Sequence, residues 1–167
     1  RIRNPFQGAS VITRAIFVTC IFVLFVFLAG CAKDVGNDKV VQIAQTVRVS
    51  ANFLTVQGIG LLERYEPGQV EATKADLGSI VDIAKKYADG KVTVGDVVST
   101  VTIVLDRLNE RFELVEADGV SVILATISAL GQIVEIYFVE ADLPQEAGIY
   151  LNSFAIGIQE GLNELAD

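Results

Sequence analysis

The chain has 167 residues, with 13 basic against 21 acidic groups, a net charge of −8, and no His, Trp or Met. So acidic a chain lacks the Lys and Arg that phosphates demand, which argues against nucleic acid as a partner. The missing His removes the usual general base near neutral pH, the usual Ser and Cys triads, and the nitrogen ligands of most zinc and iron sites.

Arg1, Arg3 and Arg14 precede Ala15 to Leu28, fourteen residues that carry no charge and are mostly Ile, Phe, Val and Leu. A basic start, a short apolar run and small residues at its end describe a secretory signal peptide. A spanning helix needs about 20 apolar residues, a length this run reaches only by borrowing Ala29 to Ala32 before Lys33-Asp34. At its end, Leu28-Ala29-Gly30-Cys31 resembles the lipobox of bacterial lipoproteins, with Leu three residues before the cysteine and then two small residues. The resemblance covers residues 1–31, and the pattern is specific where it closes a basic-plus-apolar leader. It implies that the Cys31 thiol receives a diacylglyceryl group, that a dedicated peptidase cuts between Gly30 and Cys31, and that the new amino group takes a fatty acyl chain such as palmitate. Small side chains at Ala29 and Gly30 let an extended backbone enter a narrow protease cleft, and the thiol is the soft nucleophile the lipid transfer needs. Each buried methylene adds about 0.8 kcal/mol, so one chain binds marginally while two or three hold firmly.

The expected organisation is a signal peptide over residues 1–30, an anchor and tether over 31–38, and a helical bundle over 39–167. Cleavage removes Arg1, Arg3 and Arg14 and no acid, leaving 10 basic against 21 acidic groups, a net charge of −11. That charge opposes peripheral binding to anionic lipid heads, so attachment to the membrane rests on the acyl chains of Cys31. Ala32 stands where some Gram-negative lipoproteins carry an Asp that retains them at the inner membrane. The periplasmic leaflet of the outer membrane is therefore the favoured location in a Gram-negative source. Cys20 lies in the leader and Cys31 is the anchor, so the body keeps no thiol to pair although export would permit disulfides.

Ala32 to Asp38 is short and polar and contains Gly36; seven residues span at most about 25 Å, which holds the body close to the bilayer. From Lys39, the residues Val40, Ile43, Val47, Ala51, Leu54, Gly58, Leu61 and Tyr65 step by three or four and predict one face of a first helix. Val49, Phe53 and Val56 form a second, weaker stripe, which predicts that this helix is wedged between two neighbours. Glu66-Pro67-Gly68 ends it. A second helix places Val70, Leu77, Ile80, Val81, Ala84 and Tyr87 on one side, with Glu71, Lys74, Asp82, Lys85 and Lys86 on the other.

Asp89-Gly90 turns the chain, and Thr93 with Asp96 three residues later reads as an N-cap with its capping-box partner. Val94, Val97, Val98, Val101, Leu105, Leu108, Phe112 and Val115 make the cleanest stripe in the protein. Val97 to Leu105 is rich in β-branched residues and also suits a strand, but the stripe runs without a phase break into Asp106–Arg111, which favours a helix. After Asp118-Gly119, residues 120–134 carry no charge. A helix apolar all round is a buried one, so the fourth helix is expected at the centre, with Ser121, Thr126, Ser128 and Gln132 needing partners there. Asp142-Leu143-Pro144 starts a fifth helix, with Pro in the first turn where its missing N–H costs nothing. Its inner face is Ala147, Tyr150, Leu151, Phe154, Ile158, Leu162 and Leu165. Short connections imply antiparallel neighbours. The predicted fold is all-α, an antiparallel bundle of about five helices.

Three groups of residues are candidate sites. Asp89 to Asp96 resembles the second half of an EF-hand loop, with Asp89 and Asp96 as the weak metal candidates. The positions where further oxygen ligands belong are Tyr87 and Lys85, and the final position is Asp where a bidentate Glu is usual. Asp106, Glu110 and Glu113 share a helix face, but Arg107 and Arg111 interleave with them, which favours a solvated, ion-paired face. Glycines occur inside the predicted helices at Gly58, Gly60, Gly131, Gly148, Gly157 and Gly161, each costing about 1 kcal/mol relative to Ala. Gly157 and Gly161 form a GxxxG pair that lets another helix approach closely, either inside the bundle or as a docking surface for a membrane protein or a second copy. No residue is assigned a catalytic role and no cofactor is expected. The functional expectation is a non-catalytic interaction or structural module anchored at the bacterial envelope, with an envelope protein or a second copy as partner. The alternative is a lipid or small apolar ligand held in a cavity between helices 1, 4 and 5.

Overall fold

A computed structural model of the protein describes residues 37–139 and 144–166. It contains α1 (Asn37–Tyr65), α2 (Val70–Ala88), α3 (Val94–Glu113), α4 (Val120–Val134) and α5 (Pro144–Glu164), with no strand among the described residues. A 3-10 turn at Pro67–Gln69 joins α1 to α2, and a π-helical turn at Glu135–Val139 continues α4. The β-branched stretch Val97–Leu105 is helical. Its preference for strands yields to the unbroken burial of Val97, Val101, Val104, Leu105, Leu108 and Phe112 along one helix face.

The breaks between helices have local causes. Gly90 and Gly119 take positive φ values of 68° and 96° at the turns before α3 and α4, a region that costs glycine nothing. The capping box is present at α3: the Thr93 backbone N–H and hydroxyl donate to Asp96 Oδ2 at 2.8 and 2.7 Å, and the Asp96 N–H donates to Thr93 Oγ1 at 3.3 Å. These bonds hold the Asp96 carboxyl below the usual carboxylate range, the backbone N–H of Thr93 contributing most.

The helices form a closed ring, α1 against α5, α5 against α2, α2 against α3, α3 against α4, and α4 against α1. Chain neighbours run antiparallel, but a ring of five cannot alternate all the way round. The odd pair is α1 and α5, which run parallel: Gly157 sits against Arg48 and Ala51, and Gly161, one turn on, against Asn52 and Thr55. This parallel pair is also the most extensive contact in the bundle. The interior is filled by Phe112, Tyr150 and Phe154 with Leu54, Ile59, Leu62, Leu77, Ile80, Leu108, Leu130, Leu151 and Ile158, all essentially inaccessible to solvent. Phe112 reaches across it, and a Cβ placed on Gly58 would lie 3.0 Å from its ring.

Two expectations about burial are corrected. On α1 the second buried row is not Val49, Phe53 and Val56: Val49 is 67% exposed, and Phe53 and Val56 are only partly covered. Ser50, Thr55, Ile59 and Leu62 are buried instead, while Tyr65 is exposed, because the contact with α5 turns the inner face of α1 toward residues 48, 51, 52 and 55. The fourth helix is one member of the ring, not its centre. Ile123, Thr126, Ile127, Ala129, Leu130, Ile133 and Val134 are buried, but Ser121, Ser128 and Gln132 face solvent. A charge-free helix can still have a wet side when Ser and Gln supply it. Thr126 satisfies its hydroxyl by donating to the Val122 carbonyl at 2.8 Å. With its π-helical continuation, Val120–Tyr137 is long and apolar enough to cross a membrane by length and composition alone. In this fold its apolar row packs against α1 and α3.

Candidate functional site

The lipobox residues Leu28, Ala29, Gly30 and Cys31 lie outside the described residues. Asp89 and Asp96 are engaged separately. Asp89 Oδ2 lies 2.7 Å from Lys91 Nζ, while Asp96 is the capping-box carboxylate of α3. No group of three or more His, Cys, Asp or Glu side chains converges among the described residues.

Asp106, Glu110 and Glu113 point to solvent, and Glu113 accepts a hydrogen bond from the Asn109 amide at 2.7 Å. The arginines between them turn away from their own helix toward α2. Arg107 Nη1 donates to Asp76 Oδ1 at 3.1 Å; Arg111 Nη2 lies 2.5 Å from Asp76 Oδ2, and Arg111 Nη1 donates to Thr73 Oγ1 at 3.2 Å. Asp76 and Thr73 are both buried. This network ties α2 to α3. Asp76 is absent from the residues expected to matter, although a carboxylate beside Thr73, Leu77 and Ile80 at helical spacing is a polar group on an apolar face, which calls for a partner.

Of the two roles open to Gly157 and Gly161, close packing inside the bundle is the one the contacts show. A Cβ on Gly157 would strike the Arg48 carbonyl oxygen and lie 3.0 Å from the Ala51 Cβ; one on Gly161 would lie 2.7 Å from the Thr55 Cβ and 3.2 Å from the Asn52 carbonyl. The close approach that GxxxG permits is made by α1 of the same chain, so the surface of Gly157 and Gly161 is not open to a partner.

Just outside this seam the two parallel helices leave an open groove of about 450 Å³, lined by Gln45, Arg48, Val49, Asn52, Glu160 and Glu164. Side chains pair across it. Arg48 binds Glu160 through both carboxylate oxygens, with Arg48 Nε donating to Oε2 at 2.9 Å, and Asn52 Nδ2 donates to Glu164 Oε1 at 3.0 Å. The hydrogen bond from Arg48 lowers the Glu160 carboxyl below its ordinary range, and Glu160 in turn raises the guanidinium. Five of its six lining residues, all but Val49, carry polar or charged side chains, although the surface they present to the groove is more apolar than polar.

At the end of the bundle where α1 begins, the Tyr137 and Tyr150 rings meet edge to face at 5.5 Å between centroids. Burial, with smaller contributions from Glu146 and Tyr137, pushes the Tyr150 phenol up to about 12. The Tyr87 ring lies beside Gly148 of α5, 3.4 Å from where a Cβ would stand. No family model matches the chain, and neither a curated protein nor a solved structure resembles it significantly.

Proposed function

We propose that the protein is a lipid-anchored bacterial envelope protein whose acidic helical body acts without catalysis, as an interaction or structural module beside the membrane. The observation that carries this reading is Leu28-Ala29-Gly30-Cys31 at the close of a basic and apolar leader. The expected tether, Ala32 to Asp38, spans at most about 25 Å, which would keep the body close to the bilayer. The way the body uses its charges supports a structural role. Asp76, Asp96, Arg48, Arg107 and Arg111 are each spent on joining or capping helices. Anchorage is expected through the acyl chains of Cys31, in the periplasmic leaflet of the outer membrane where the source has one.

The test is fractionation of cells producing the natural protein or Cys31→Ala, with metabolic labelling by a fatty acid. The natural protein is expected in the membrane fraction, labelled and shortened by its leader; Cys31→Ala is expected unlabelled and with the leader uncut. Equal processing of both proteins, or absence of label from the natural one, would refute the anchor. A strictly monomeric protein that crosslinks to no envelope component would refute the interaction role.

A further inference from the structure

We infer that the groove between α1 and α5 is the docking site for an amphipathic partner helix that carries Lys or Arg at both ends of a short apolar stretch. This rests on the reading of the body as an interaction module and names the surface and the chemistry of the partner. Eight large apolar side chains are exposed among the described residues; Val49 lines the groove, and helical spacing puts Val41 on the same face of α1 as Gln45 and Arg48, and Ile149 and Ile156 beside Glu160 on α5. On α1 the row is Val41, Gln45, Arg48 and Asn52; on α5 it is Glu146, Ile149, Ser153, Ile156, Glu160 and Glu164. Both rows step by three or four, the spacing that keeps side chains on one helix face and receives the side chains of another helix. Because α1 and α5 are parallel and held close by Gly157 and Gly161, the rows stay side by side along the groove. From Glu146 to Glu164 the track is about 27 Å long at about 1.5 Å per residue, enough for five turns of a partner helix.

Charge selects the occupant. The apolar pair Ile149 and Ile156 is bracketed by Glu146 at one end and by Glu160 and Glu164 at the other, with Arg48 as the single basic group among the described residues that line the groove. Arg48 is already bound to Glu160, and neither Glu146 nor Glu164 has an ion pair among the described residues. A second copy would bring the same excess of carboxylates to its partner, and an anionic membrane surface would be repelled. A helix with two apolar residues seven positions apart and Lys or Arg beyond each of them satisfies both the apolar and the acidic parts of the track, which is the helix-in-groove mode of recognition.

The experiment places a photo-crosslinking amino acid in the full chain, in its own membrane, at Val49, at Ile156 and, away from the groove, at Leu114. The products at Val49 and Ile156 are expected to map by mass spectrometry to one helical segment with basic flanks. Reversing the bracket with Glu146→Lys and Glu164→Lys is expected to cut their yield at least about tenfold, with far-UV circular dichroism unchanged. The docking proposal is overturned by no product at Val49 and Ile156, by products on lipid or on a second copy, or by a yield indifferent to the charge reversal. Protein products at Leu114 with none in the groove would overturn this proposal and leave the interaction module standing. No protein product at any of the three positions would sink both.

Discussion

Replacing Gly157 with Ala tests the α1–α5 seam, because propensity and packing push its effect in opposite directions. Ala gains about 1 kcal/mol over Gly in a helix interior, and Gly157 lies well inside α5. Against this, the new Cβ would collide with the Arg48 carbonyl oxygen and press on Ala51. A backbone carbonyl cannot rotate away, so α1 has to shift along its most extensive contact. Overpacking of this kind costs about 1–3 kcal/mol, and the backbone obstacle puts Gly157 at the upper end. The net expectation is a loss of about 2 kcal/mol, or roughly 6–10 °C in Tm for a body of this size. Gly60 and Gly131 have nothing within 4 Å of the place a Cβ would take, so their Ala variants are expected to gain up to about 1 kcal/mol. Gly161→Ala stands between, since its obstacles are the Thr55 Cβ at 2.7 Å and Cγ2 at 2.9 Å, and Thr55→Ala, which removes only the Cγ2 contact, should recover part of its loss. Urea unfolding followed by circular dichroism reads all four. A Gly157→Ala protein as stable as the parent would refute the seam as described.

Other consequences follow from the same contacts. Asp76→Ala leaves the largely covered Arg111 without its carboxylate and should cost about 2–3 kcal/mol, whereas Arg107→Ala, which removes an arginine whose side chain is 57% exposed, should cost under about 1 kcal/mol in the same unfolding assay. Thr93→Ala removes the cap of α3 and should cost about 1 kcal/mol. Because Asp96 is held below its ordinary range, its contribution is complete above the unfolded carboxyl value near about 4 and is lost as the pH falls through the folded value. Acid titration of stability should therefore be shallower in Asp96→Asn. Tyr150 has the opposite sense. Its phenol is raised to about 12, so above about pH 10 the unfolded chain releases a proton that the folded one keeps, and stability falls as the pH rises toward 12. Ultraviolet titration of the folded protein should show the Tyr150 phenolate only as the pH approaches about 12, and Tyr150→Phe should remove that component.

Much of this architecture is legible along the chain because it depends on local rules. The period of the apolar residues, the Thr93–Asp96 box, Gly90 and Gly119 at the turns and Pro144 at the start of α5 each act within a few residues of themselves. What is not legible depends on residues far apart. Gly157 and Gly161 declare a close-approach surface, but their partners Arg48 and Thr55 are more than a hundred residues away, and spacing alone cannot say whether the facing helix belongs to the same chain. The exposure of Val49 has the same origin, since the inner face of α1 is set by where α5 lies. The fourth helix carries no charge, which suggests a central position, yet Ser121, Ser128 and Gln132 make a sufficient wet face. Asp76 leaves a trace that periodicity can find, a carboxylate within an apolar row. The groove leaves none: its two rows become one surface only when α1 and α5 are brought parallel.

Anchorage turns on the covalent state of Cys31, and mass spectrometry of the amino-terminal peptide from the natural membrane measures it directly. The peptide is expected to begin at Cys31, with the diacylglyceryl group on sulfur and a fatty acyl chain on the new amino group. A peptide that still joins Gly30 to Cys31, or that carries a free thiol, would contradict a lipid-anchored protein.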